Sequence, residues 1–303
     1  MEKQQRQMTD AELAKTLGKY QTCAFLYLLF GLIGIIAGIV CYFAVPAPIP
    51  KTILTFVLFG GGLCTAIFLS GGAQKKCTAL LEEGLGDFFR AEYEKKFGTE
   101  RADASLVIDA AYVQSIAPLA GEWEECEIEH FHTGVHGDVP FSAANIRLIH
   151  VYERGNIRED RAEWRDLVAQ GLVLRCQTEC IAQVPLYVTA RKKDDPVDTT
   201  GDAAFDSRFR TDAALSSAMR TWILDLDACV PGTILCLRWE ENTLAIVLKT
   251  DYAFAAVASR VDLRDLDAAR QSYRASLTQM AHILDAIHAN PALYANKPKE
   301  ETL

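Results

Sequence analysis

The sequence predicts an α+β protein: an N-terminal two-helix transmembrane hairpin, then a cytoplasmic domain of mostly antiparallel sheet with flanking helices. Three observations carry this. Residues 24–45 and the stretch between Lys51 and Lys75 are long runs without a single charge. From Trp123 onward, β-rich segments come in consecutive runs rather than alternating with helices, which favours α+β over a βαβ fold. Leu263 to Pro291 shows the apolar repeat of a soluble amphipathic helix.

The organisation that follows is a cytoplasmic tail over 1–22, a membrane hairpin over 23–74, a juxtamembrane helix over 75–100, an α+β domain over 101–290 and a flexible tail over 291–303. The spans themselves are placed at about 24–45 and 53–73. Either uncharged run is long enough to cross a hydrocarbon core of about 30 Å as a helix rising 1.5 Å per residue. The segment between them, "PAPIPK", suits a turn at the membrane surface, because proline interrupts a helix interior. Gly34-x-x-x-Gly38 and Gly60, Gly61 and Gly62 allow two backbones to approach closely.

Basic residues set the orientation. Lys3, Arg6, Lys15 and Lys19 precede the first run, and Lys75 and Lys76 follow the second, whereas the connection carries Lys51 alone. Basic flanks stay on the cytoplasmic side, which places both termini inside, in the inner membrane of a bacterium. Residues 1–76 hold 7 Lys and Arg against 3 Asp and Glu, and residues 77–303 hold 24 against 37. An acidic domain repels phosphate, so nucleic acid is not an expected partner. Cysteines in the soluble part lack the spacing of a secreted disulfide scaffold and read as buried apolar side chains of a reducing compartment.

Within the cytoplasmic part, residues 77–98 read as a helix with a kink or break at Gly84 and Gly86, and "LVIDAAYVQSI" as a short helix. "CEIEHFHTGVHG" and "DVPFSAANIRLIHVYE" form a hairpin around a Gly-Asp turn, and "GEWEECEIE" reads as a charged edge that discourages unwanted pairing. "RGNIREDRAEWRDL" reads as an exposed loop, residues 171–190 as an extended pair with Pro185 at an edge or bulge, and "TILCLRWEENTLAIVLKT" as a hairpin around Glu240-Glu241-Asn242. The final helix carries Leu263, Leu266, Tyr273, Leu277, Met280, Leu284 and Ile287 on one stripe and stops at Asn290-Pro291.

The order of these segments, with "HTGVHGDVPFSAANIRL", "WRDLVAQGLVL", "TTGDAAFDSRFRTDAALSSAM" and its Phe205-Asp206-x-x-Phe209 spacing, then "TLAIVLKTDYAFA", resembles the bacterial membrane-protein family known as domain of unknown function 3137. The resemblance covers roughly residues 20–290 in layout. It implies a membrane-anchored bacterial protein and brings no catalytic residue with it.

Chemical candidates are few. His130, His132 and His136 place three of six histidines within seven residues. Side chains two apart share a strand face, so the first two can chelate together, with His136 folding back and Glu129 or Asp138 as a further ligand. The opposing reading is a solvated strand face beside Ile128, Phe131 and Val135, and the sequence favours it because the cluster has no partner cysteines. Cys176 and Cys180 lie ~13 Å apart along a strand, too far for one metal or one disulfide. Asp225-Leu226-Asp227 reads as a helix end, and Asp194, Asp195, Asp198 and Asp202 as a solvated turn without the closing Glu of a calcium loop. No phosphate-binding loop, dinucleotide fingerprint, G-x-S-x-G or H-E-x-x-H occurs.

No residue is therefore expected to be catalytic, to bind a cofactor or to ligate a metal. The expected function is a membrane-anchored protein of unknown activity presenting an acidic interaction or regulatory domain. Its partners are the lipid bilayer, through two helices, and a protein. The alternative is a metal-dependent or otherwise unrecognised enzyme using the His130, His132 and His136 hairpin.

Overall fold

The computed structural model describes residues 8–44, 48–99, 106–116, 123–154, 162–191, 200–211 and 213–294. Two compact units emerge, one of residues 1–91 with 259–271, the other of 92–258 with 272–303.

The first unit is helical. Helix α1 runs Asp10–Ala44 and α2 runs Pro48–Cys64; one wide turn over Thr65–Leu69 joins α2 to α3, Ser70–Phe97. Two continuous helices long and apolar enough to cross a membrane result, Asp10–Ala44 and Thr52–Phe97. Thr9 and Glu12 cap α1 reciprocally: Thr9 N–H donates to the Glu12 carboxylate at 3.1 Å, and Glu12 N–H to Thr9 Oγ1 at 3.4 Å. Residues 10–22, assigned above to a tail, are thus the first turns of α1.

Small residues set the approach of α1 to α2 and its continuation. A Cβ at Gly62 would lie 2.6 Å from the Gly31 carbonyl oxygen, and one at Gly31 would lie 2.6 Å from Ala66 Cβ. No break occurs at Gly84. A Cβ there would meet Leu13 at 2.3 Å, so this glycine admits a buried leucine rather than ending the helix. In the proline-rich connection, residues 45–47 lie outside the described residues, and Pro48 opens α2, where its missing N–H costs nothing.

The second unit is α+β. Its strands are β1 Glu125–His136, β2 Val139–Arg154, β3 Ala162–Ala190, β4 Phe209–Thr211 and β5 Thr233–Lys249, and its helices include α4 Ala110–Ile116, α5 Ala203–Asp206 and α6 Ser217–Cys229. Helix α7, Leu266–His288, begins in the first unit and ends in the second. The five strands form one antiparallel sheet, β1-β2-β3-β4, with β5 also on β3.

The β1–β2 turn is Gly137-Asp138, with φ of 51° and 66°, the positive pair that a two-residue hairpin needs. β1 is the outer strand, as its charge suggested, and its Glu127 pairs across the ladder with Arg147 at 3.0 Å.

Two expectations are corrected. Residues 162–190 form one strand, including the part of the supposed exposed loop from Ala162 on; residues 155–161 lie outside the described residues. Residues 233–249 likewise form one strand, and Glu241, with φ of 50°, absorbs an irregularity instead of making a hairpin turn. Ladder register shifts between Gln177 and Ala182 and between Ala182 and Leu186, where Pro185 sits. A bulge lets a strand kink and continue.

The core has two sides. On one, Val113 and Ile116 of α4 cover Ile146, Leu148, Val173, Ala245 and Val247. On the other, Phe141 packs against Phe97 and Phe254 at ring centroids of 5.1 and 6.3 Å. Every member of the α7 stripe from Leu266 to Ile287 is buried, so helical periodicity was a true guide there.

Candidate functional site

In the first unit, the surface itself is the feature. Phe43 is 80 % exposed, Phe56 78 % and Phe68 72 %, with Leu28, Phe30, Leu32, Ile36, Val40, Val57 and Ile67 also exposed. Water strips such a surface of any stability gain, whereas a lipid solvent accepts it.

Along the N-terminal half of α1, residues 259–265 pack on the helix. Gln21 donates from Nε2 to the Val261 carbonyl at 2.7 Å and accepts from Leu263 N–H at 3.0 Å. A depression lined by Asp10, Ala14, Arg264, Leu266 and Arg270 is crossed by ion pairs of Arg270 with Asp10 and Asp267, at 2.8 and 2.9 Å.

In the second unit, the three histidines of the hairpin diverge. The register between β1 and β2 slips between Glu129 and His132, and His130 at φ 48° sits exposed in that bulge. His132 stacks on Tyr93 at 5.0 Å and meets Phe254 edge-on at 5.7 Å. His136 Nε2 lies 2.7 Å from Asp285 Oδ1 on α7, and its ring stacks on His288 at 5.7 Å. The bulge breaks the two-residue alternation that chelation by His130 and His132 requires. Among the described residues, no three His, Cys, Asp or Glu side chains gather as a metal site.

The other candidates also separate. Cys176 is fully buried and its thiol is pushed up by desolvation, while Cys180 is half-buried; both are free thiols. Asp225 is exposed. Asp227 does lie in the last turn of α6, and it is buried: its side chain is 1 % exposed, it pairs with Arg208 and it accepts from Ile234 N–H at 3.0 Å. Asp202 accepts from Ala204 and Phe205 N–H at the start of α5, at 3.1 and 3.2 Å. Asp194, Asp195 and Asp198 lie outside the described residues.

Two polar devices escaped the sequence. Buried Asn145 makes a paired bond with residue 254: its Nδ2 donates to Phe254 O at 3.0 Å and its Oδ1 accepts from Phe254 N–H at 2.9 Å. A lone Asn between apolar strand residues, in "SAANIRL", was the available signal, since a buried amide needs partners. Gln21 is the other, and nothing local in its sequence marks a partner 240 residues away.

No family model and no curated protein matches the chain. One solved structure, the mycobacterial trehalose monomycolate transport factor A, TtfA, is similar at 9 % identity and a TM-score of 0.27, covering 67 % of this chain and 96 % of that one. At that TM-score the likeness carries no argument about fold or function.

Proposed function

We propose that this is a membrane-anchored protein in which two transmembrane helices tether an acidic α+β unit, and that this unit serves as an interaction or regulatory module for a protein partner. The observation that carries the reading is the apolar helix pair: large hydrophobic side chains point outward along it, while Gly31, Gly34, Gly38 and Gly62 lie where its two helices meet. A soluble protein buries such side chains. Basic residues flanking the pair support an orientation with both outer ends of the hairpin in the cytoplasm. The resemblance to family 3137 agrees with this layout and rests on sequence motifs alone.

The module reading draws on the acidic excess after residue 76 and on the packing roles that the hairpin histidines take. His132 and His136 are engaged with Tyr93 and Asp285, and among the described residues no further metal-type ligands converge on them. Alkaline carbonate extraction of membranes from cells expressing the full chain tests the anchor. Retention in the pellet is expected, and release of the chain into the supernatant would overturn the reading.

A further inference from the structure

The contacts of Leu17 O with Cys77 Sγ at 3.8 Å, of Leu13 with Gly84 and of Gly31 with Ala66 fix an antiparallel register between α1 and the α2–α3 helix. Continuing that register places Lys75 and Lys76 at the level of Gln21 on α1. Gln21 is also where the 259–265 loop is held by two hydrogen bonds. A Cβ at Gly18 would lie 2.2 Å from Arg264 Cγ, so the loop lies flat on α1, with Arg260 adjoining the clamp.

Lys19, Lys75, Lys76 and Arg260 are all exposed, and none makes an ion pair among the described residues. Lys19 lies five residues before Ala24, where the apolar span is placed to begin, about 7.5 Å along a helix. That distance matches the headgroup layer of roughly 5–7 Å beyond each face of the hydrocarbon core, and a lysine stem extends toward it. Acidic neighbours are occupied. Asp262 is paired with Arg264 at 2.8 Å, and Asp10 with Arg270.

We propose that Lys19, Lys75, Lys76 and Arg260 form a collar for the headgroups of anionic phospholipids, completed by the 259–264 loop that Gln21 holds against α1. The collar rests on the anchor reading. It gives the chain a second hold on the membrane, to which Arg260 adds a charge far from the helices in sequence. Each basic side chain near an anionic surface contributes attraction that a zwitterionic surface does not, and this attraction fades with salt.

The test is hydrogen exchange of the full chain in nanodiscs of phosphatidylcholine with or without phosphatidylglycerol. Exchange at residues 259–265 is expected to slow ~5-fold with the anionic lipid, the effect of about one basic residue at such a surface. The slowing should vanish in a Lys75→Gln/Lys76→Gln/Arg260→Gln variant and shrink in molar salt for the unaltered chain. Equal exchange in both lipids, or slowing that molar salt leaves intact, would overturn the collar while leaving the anchor standing. A chain that enters neither disc would overturn both.

Discussion

His136 and Asp285 join the β1–β2 hairpin to α7 through a 2.7 Å contact between Nε2 and Oδ1. His136 is mostly buried at 18 % side-chain exposure, whereas Asp285 is 65 % exposed, so solvent weakens the electrostatic part of the pair. His136→Ala is expected to cost about 1 kcal/mol, mostly through lost packing on Phe97 and His288. Asp285→Ala should cost less. Chemical denaturation of the two variants in detergent checks the order, and a larger loss from Asp285→Ala would show that charge dominates.

Asn145 makes the stronger demand. Replacing it with Ala leaves the N–H and C=O of buried Phe254 without their partners, a cost of about 2–4 kcal/mol for two stranded groups. Thermal unfolding should show a clear drop in Tm. Exchange of the 252–256 amides should rise with it, because the paired bond holds that segment and its strained Ala255 at φ 51°.

Alkaline pH should destabilise the second unit. Burial pushes the Cys126 and Cys236 thiols up to about 11, from an ordinary value of 9.0. A raised pKa in the folded state means that the stability held below pH 9 is lost as pH rises toward 11, because the unfolded chain ionises first. Burial raises the Tyr187, Tyr252 and Tyr294 phenols as well, which adds to the same slope. Unfolding midpoints measured across pH 8 to 11 should fall within that window, and fall less in a Cys126→Ala/Cys236→Ala variant. A flat profile would contradict the buried, protonated state of these thiols.

Gly62 is a point of close backbone approach between the paired helices. Gly62→Val places a branched side chain 2.6 Å from Gly31 O and 2.8 Å from Ile35 N, where only backbone can yield. Separation of the helices should cost about 1–3 kcal/mol, read as a lower Tm of the detergent-solubilised chain. Gly61→Val, where a Cβ meets nothing within 4 Å, is the control and should behave as the unaltered chain.

The apolar runs, the Gly137-Asp138 turn and the α7 stripe were legible because each follows from a local period or a local turn preference. The length of β3 and β5 was not. Gln177-Thr178-Glu179 and Glu240-Glu241-Asn242 carry the polarity of turns, yet in the sheet they are irregularities that the partner strand bridges. Gly84 misled for a related reason: a glycine that admits Leu13 looks in sequence like one that ends a helix. The histidine cluster was visible, but its fate depended on Tyr93, Phe254 and Asp285, all distant in the chain.

The central claim is that both apolar helices cross a membrane with the connection at residues 45–51 on the outer side. Alkaline phosphatase fused after Lys51, and separately after Lys96, in a bacterial host tests it most directly, because the enzyme folds only outside the reducing cytoplasm. The account predicts high activity for the first fusion and background activity for the second. Background activity at Lys51, with the fusion intact, would contradict it.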